Sequence, residues 1–149
     1  MKNALIIDWL DKYGGAERVI ASITRVLNFN KCYTLISIMP PQDVSKVLSY
    51  HNIPIIQTGL KALGKNFRLL FFLFPYFIKR LKVDKDTRLI VSSSFSVAKG
   101  IKKTGKNQIH ICYYQARNQR YLWDNKGIYF NALARIVLSP ILFALRRLD

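Results

Sequence analysis

Residues 6–27 read IIDWLDKYGGAERVIASITRVL, and this stretch decides the fold. An apolar run ends at Asp8, a polar loop follows and is closed by Gly14 and Gly15, and an amphipathic pattern then begins. Val19, Ile20, Ile23, Val26 and Leu27 recur at the spacing of one helix face, with Glu17, Arg18, Ser22 and Arg25 on the other side. Strand, glycine turn, helix is the opening of a nucleotide- or sugar-binding α/β domain. Two adjacent glycines let a ligand come close to the backbone, because no Cβ stands in the way. The first helical turn adds free N–H groups and the positive end of the helix dipole, which suit a phosphate or a carboxylate. A βα turn also uses glycine for its own geometry, so the pair has a structural as well as a ligand-facing reading.

Working outward, strands and helices alternate. Residues 3–8 form a continuous apolar strand, as expected where a parallel sheet is buried on both faces. Residues 31–38 and 53–58 read as the second and third strands, with a short helix over 42–50 between them. Pro54 restricts the third strand to an edge or a strand beginning. Residues 59–82 are helical, with a broad apolar face that includes Phe67 and Phe71 and a rim of Arg68, Lys79 and Arg80. Pro75 is expected to kink or divide this helix. Residues 88–93 are the fourth strand, and Ser92, Ser93 and Ser94 are placed to cap a short helix over 95–100. A fifth strand over 108–114 leads into a polar and aromatic loop, 115–127, and a last helix over 128–148 with a kink expected at Pro140. This is the pattern of one α/β domain spanning residues 1–149, a Rossmann-like parallel sheet flanked by helices with right-handed crossovers. Ligands of such sheets bind at the carboxyl ends of the strands.

The composition narrows the function. The chain has 149 residues, half of them apolar, enough for a real core. It carries 24 Lys and Arg against 8 Asp and Glu, a net charge of +16. Residues 76–149 hold most of that excess, and a surface of this kind attracts phosphates on lipids, nucleotides or nucleic acids. Cys32 and Cys112 read as separate buried thiols and not as a disulfide or metal pair, which suits a reducing compartment. Asp8 and Asp11 interrupt the first apolar run, so it is not a signal peptide, and no run reaches the ~18 residues of a membrane span. The expected location is therefore cytoplasmic. With two separated cysteines and two histidines, no metal-ligand spacing occurs. The dinucleotide fingerprint G-x-G-x-x-G is absent, which disfavours a nicotinamide-dependent oxidoreductase. No nucleic-acid motif accompanies the charge, so no nucleic-acid partner is expected.

Four stretches in order carry a resemblance: DWL…YGGAERV (8–19), the Phe- and Pro-containing helix before Lys82, LIVSSSFSVAKG (89–100) and HICYY…RYLWD (110–124). The chain resembles the amino-terminal domain of family 4 glycosyltransferases, the retaining, nucleotide-sugar-dependent enzymes with the two-domain GT-B fold. The likeness spans the whole chain. It implies sugar transfer (EC 2.4) from a nucleotide-sugar co-substrate, with no other cofactor, to a glycan or lipid-linked acceptor in polysaccharide biosynthesis. It implies an acceptor-side domain ending before its last strand, with the carboxy-terminal donor domain absent. A second glycosyltransferase domain would then be needed to complete the cleft, and the isolated chain would not turn over. The resemblance puts Gly14 and Gly15 toward the donor phosphates. Relatives usually continue the fifth strand with His-Thr-Pro, that His lying at the catalytic centre; here Gln115, Ala116 and Arg117 stand there. Gln115 hydrogen-bonds but does not titrate. A His common before the Asp of DWL is replaced by Ile7. The catalytic residues are thus left open.

Other candidates have paired readings. Asp8 orients the glycine loop, touches the acceptor or caps its turn. Glu17 reads as a structural acid of the first helical turn, and His110 as a packed, hydrogen-bonded residue. Arg117 and Arg120, interleaved with Tyr121 and Trp123, suit an anionic acceptor or sugar ring. Phe67, Arg68, Phe71, Lys79 and Arg80 are either core packing or a face that docks peripherally on the anionic inner surface of the plasma membrane. If nothing supplies the second domain, the chain reads instead as a non-catalytic basic module on such a membrane.

Overall fold

The computed structural model describes residues 2–115, 127 and 131–146, apart from the side chains of 144 and 145. Five parallel strands form one sheet in the order β3-β2-β1-β4-β5. They are β1 (Lys2–Ile7), β2 (Lys31–Thr34), β3 (Ile55–Gln57), β4 (Thr87–Ser94) and β5 (Ile109–Tyr114). Helices flank the sheet, as the alternation of elements predicts: α1 (Gly15–Val26), α2 (Pro41–Val47) and α3 (Phe74–Arg80), followed by α4 (Ala132–Arg146).

The apolar run of β1 is explained by its central place. Leu5 and Ile7 pack on one face with Ile20 of α1, Val47 of α2, Cys32 and Val91. Ala4 and Ile6 pack on the other with Tyr33, Phe67, Phe74, Ile78 and Ile90. Side chains alternate along a strand, so a strand covered on both sides must be apolar at every position. Burial of Cys32 pushes its thiol up to about 12, as expected of an inert core cysteine. Cys112 is half-buried on β5, and both cysteines are free.

Several expectations need correction. On α1, Ile20 is buried and Ile23 and Leu27 pack against the same core as expected, but Glu17, Ala21 and Thr24 are also buried and Val26 is 82% exposed. Val26 lies two residues past Thr24, a rotation of roughly 200° at 3.6 residues per turn. Thr24 is buried because its hydroxyl donates to main-chain oxygens, that of Val47 among them at 3.1 Å. Residues 59–82 are not one helix. A 3-10 segment, Gly59–Leu73, is broken by non-helical backbone at Gly64 and Leu70, and α3 then starts with Pro75 in its first turn. There the missing N–H of proline costs nothing, so Pro75 opens a helix instead of kinking one. β3 is short and lies at the sheet edge, the place Pro54 requires.

Phe67 is taken up by the core, which removes it from the expected membrane face. Phe67 is wholly buried, stacked on Phe74 with ring centroids 5.9 Å apart and edge-on to Trp9 at 5.6 Å. Phe71 is half-buried and packs against Leu142 of α4. α4 runs through Pro140, and it turns Leu138, Ile141 and Leu142 inward, leaving Leu133, Ile136, Val137 and Phe143 exposed. β5 is the other sheet edge, and Ile109, Ile111, Tyr113 and Tyr114 are about half exposed on it.

His110 on β5 sits with Nε2 2.8 Å from the Ser92 hydroxyl of β4, and it is half-buried. Desolvation, with the nearby Lys103 charge, lowers its pKa from the ordinary value. A depressed pKa means stability that is present above the unfolded value, about 6.5, and is lost as pH falls through it. Thermal melts of the chain should therefore shift down between pH 7.5 and 5.5. In His110→Gln that shift should shrink, since His51, the other histidine, is exposed. Equal pH dependence in both proteins would show that His110 does not carry it.

Candidate functional site

The carboxyl ends of β1 and β4 meet at Asp8, the first residue after β1. Asp8 is completely buried. Its Oδ2 accepts the amides of Phe95 at 2.7 Å and Ser96 at 3.0 Å. Its Oδ1 accepts those of Val97 and Ala98, both at 2.6 Å. The carboxylate thus caps the turn after β4, a role assigned from the sequence to the serines. Ser92, Ser93 and Ser94 belong to β4 itself, and only a 3-10 turn, Ala98–Gly100, follows. Burial pushes the Asp8 carboxyl above the usual aspartate range, and the amides of Ala98, Phe95, Ser96 and Val97 pull against that shift. Of its expected roles Asp8 takes the capping one, applied to a turn 87 residues away and not to its own.

Over this capped turn lies a cleft of about 580 Å³, shared by the β1–α1 loop, the 3-10 segment and the end of β5. Gly14, Gly15 and Gln115 line it together, as their positions at strand ends predict. The two glycines differ. Gly14 donates its N–H to Glu17 Oε2 at 2.9 Å, and a Cβ on Gly14 would stand 3.2 Å from that oxygen. Gly14 thus leaves room for the Glu17 carboxylate, as part of a cap in which Glu17 closes the helix start. Gly15 is exposed, and a Cβ there would meet nothing within 4 Å. Its φ is not positive either, so neither backbone conformation nor packing calls for glycine at this position. Among the described residues the amides of Gly15, Ala16 and Glu17 have no hydrogen-bond partner, as expected at a helix start.

Gln115 is tied down. Its backbone N–H extends the β4–β5 ladder to Ser94 O at 2.9 Å. Its side-chain amide donates to Ser93 Oγ at 2.5 Å and to Ala16 O at 3.2 Å. Both N–H protons are thus engaged, and the side-chain oxygen remains as an acceptor.

Arg68 was placed by the sequence on the membrane rim, and it lies on the wall of this cleft. Its Nη2 donates to Asp11 Oδ2 at 2.6 Å, and the guanidinium lies over the rings of Trp9 and Phe67, 5.7 and 5.0 Å from their centroids. No local pattern announces this contact, because Arg68 and Asp11 are 57 residues apart. Lys79 and Arg80 remain exposed on α3, Arg80 over the ring of Tyr76. Arg117 and Arg120 lie outside the described residues. Among the described residues no group of His, Cys, Asp and Glu side chains could hold a metal ion.

Comparison with protein-family models, curated proteins and solved structures finds no match. The parallel sheet and the cleft at its carboxyl edge define a Rossmann-like α/β domain.

Replacing Asp8 by Asn would turn one acceptor oxygen into an NH2 group facing two buried amides. At roughly 1–3 kcal/mol for each unsatisfied buried donor, a loss of about 3 kcal/mol is expected. Urea unfolding measures it; a change below ~1 kcal/mol would mean that the turn does not need the carboxylate.

Proposed function

We propose that this chain is the acceptor-side half of a nucleotide-sugar-dependent glycosyltransferase, with the donor diphosphate approaching the start of α1. The observation that carries the reading is Gly15: it lines a cleft at the carboxyl edge of the sheet, and the fold gives no other reason for a glycine there. A bare backbone next to free amides at a helix start is what a phosphate requires. The chemistry assigned to this half is electrostatic: the amides of Gly15 and Ala16 stabilise charge that develops on the leaving diphosphate. Gln115, fixed beside the start of α1, offers an acceptor to a sugar hydroxyl and takes no part in proton transfer. The acceptor is a glycan or a lipid-linked sugar, and Arg117 and Arg120 are assigned to it on the sequence pattern alone.

The membrane reading keeps Lys79 and Arg80 and takes other apolar residues than the sequence suggests. Leu69, Phe72 and Tyr76 are 74%, 40% and 50% exposed on the 3-10 segment and α3, and Lys65, Lys79 and Arg80 flank them in the sequence. Apolar side chains bordered by cations match the headgroup zone of an anionic bilayer, which would hold the chain on the inner face of the plasma membrane beside a lipid-linked acceptor. Among the described residues no helix is long and apolar enough to cross a membrane.

Titration of the chain with uridine diphosphate should move the Gly15 and Ala16 amide resonances. Gly15→Ala should weaken that binding about tenfold. It should leave the melting temperature unchanged or slightly raised, since alanine favours a helix by up to ~1 kcal/mol. Binding that is unaffected by the substitution, or absent at millimolar ligand, would defeat the donor reading. For the second surface, the chain should sediment with anionic vesicles, and Leu69→Asp with Phe72→Asp should release it. Equal recovery with neutral vesicles would refute charge-driven docking.

A further inference from the structure

The wall of the cleft opposite α1 suggests a second anion position. Arg68 reaches it from the 3-10 segment and is held there from two directions. The Asp11 carboxylate takes one N–H at 2.6 Å, and the guanidinium carbon lies over the rings of Trp9 and Phe67, 5.7 and 5.0 Å from their centroids. Trp9 is itself locked edge-on against Phe95, with centroids 4.5 Å apart, and Phe95 belongs to the turn that Asp8 caps. The guanidinium is thus held by rigid parts of the fold. Arginine has five N–H donors, and one is committed to Asp11. Among the described residues the others have no hydrogen-bond partner. The Arg68 side chain is 55% exposed although it stacks on two rings.

The charges around it are accounted for. Asp11 is paired with Arg68 and accepts the Lys12 amide at 2.9 Å. Glu17 is turned back onto the Gly14 amide. Lys12 lines the same cleft and is exposed. A guanidinium fork held over two rings, with Lys12 lining the same cleft, matches a phosphate in two-point contact.

We propose that Arg68, with Lys12, is the receptor for a phosphate monoester or diester carried by the acceptor, separate from the position at the start of α1. This rests on the glycosyltransferase reading and narrows it: the acceptor is anionic, and its phosphate lies on the 3-10 side of the cleft. The same chemistry could be met by the donor diphosphate, so the test separates the two sources.

The full chain, labelled with nitrogen-15, is titrated with glycerol 3-phosphate, with glycerol as the neutral control, and with uridine diphosphate. Glycerol 3-phosphate should move the Trp9 indole and Arg68 Nε resonances, and glycerol should not. Arg68→Ala should weaken this binding at least tenfold. Arg68→Lys should weaken it to a lesser degree, because an ammonium keeps the charge and loses the fork. In both variants the uridine diphosphate response at Gly15 should stay as in the parent chain. Asp11→Asn breaks the same tether but leaves the guanidinium, and it should bind glycerol 3-phosphate at least as well as the parent. The proposal is overturned if the parent chain shows no response at millimolar glycerol 3-phosphate, or if Arg68→Ala binds like the parent. It is equally overturned if Asp11→Asn loses binding as Arg68→Ala does, or if Arg68→Ala weakens uridine diphosphate to the same degree. A missing uridine diphosphate response with an intact Arg68 response defeats the donor reading alone.

Discussion

A single buried carboxylate holds the carboxyl edge of the sheet together. Asp8 leaves the central strand and accepts four consecutive amides from the turn after β4. A charge in the interior is costly unless hydrogen bonds surround it, and here the donors are main-chain groups that would otherwise be buried without partners. The two needs answer each other. The consequence reaches beyond the turn, since Phe95 is fixed against Trp9, and Trp9 supports Phe67, Phe74 and Arg68. The floor and one wall of the cleft therefore depend on one side chain that faces no solvent.

The glycine pair shows how residues of one type at adjacent positions can serve unlike ends. Gly14 makes room for the Glu17 carboxylate, which closes the helix start on one side. Gly15 makes room for nothing in the chain itself. A site at a helix start needs both conditions: a helix that is capped well enough to stay formed, and an approach left clear for what comes from outside.

What was legible in the sequence follows the range of the forces involved. The apolar run of residues 3–8 and the alternation of strands and helices depend on local periodicity, and the parallel five-stranded sheet follows from them. Gly14, Gly15 and Gln115 could be placed on one cleft because strand ends are shared by topology. Contacts between distant residues were hidden. Serine beside a turn suggested a cap, yet the cap came from Asp8, whose partner turn cannot be read from its neighbours. Phe67 and Arg68 are adjacent and looked like one amphipathic face, but breaks at Gly64 and Leu70 remove the regular helix on which that reading depended. One then enters the core and the other reaches Asp11.

The two sheet edges differ in a way that matters for the chain in solution. β3 presents three residues with Pro54 just before them, a poor template for another strand. β5 presents six, in an unbroken register with β4, and residues 108–115 contain no Lys, Arg, Asp or Glu. Natural edges usually rely on a charge, a proline or a bulge to refuse a second strand, and β5 has none of these. A net charge of +16 adds long-range repulsion between copies, which added salt screens within about 10 Å at 0.1 M. Colloidal behaviour should accordingly run opposite to common laboratory habit: light scattering should rise as salt is added, and dilute buffer should be the gentler medium.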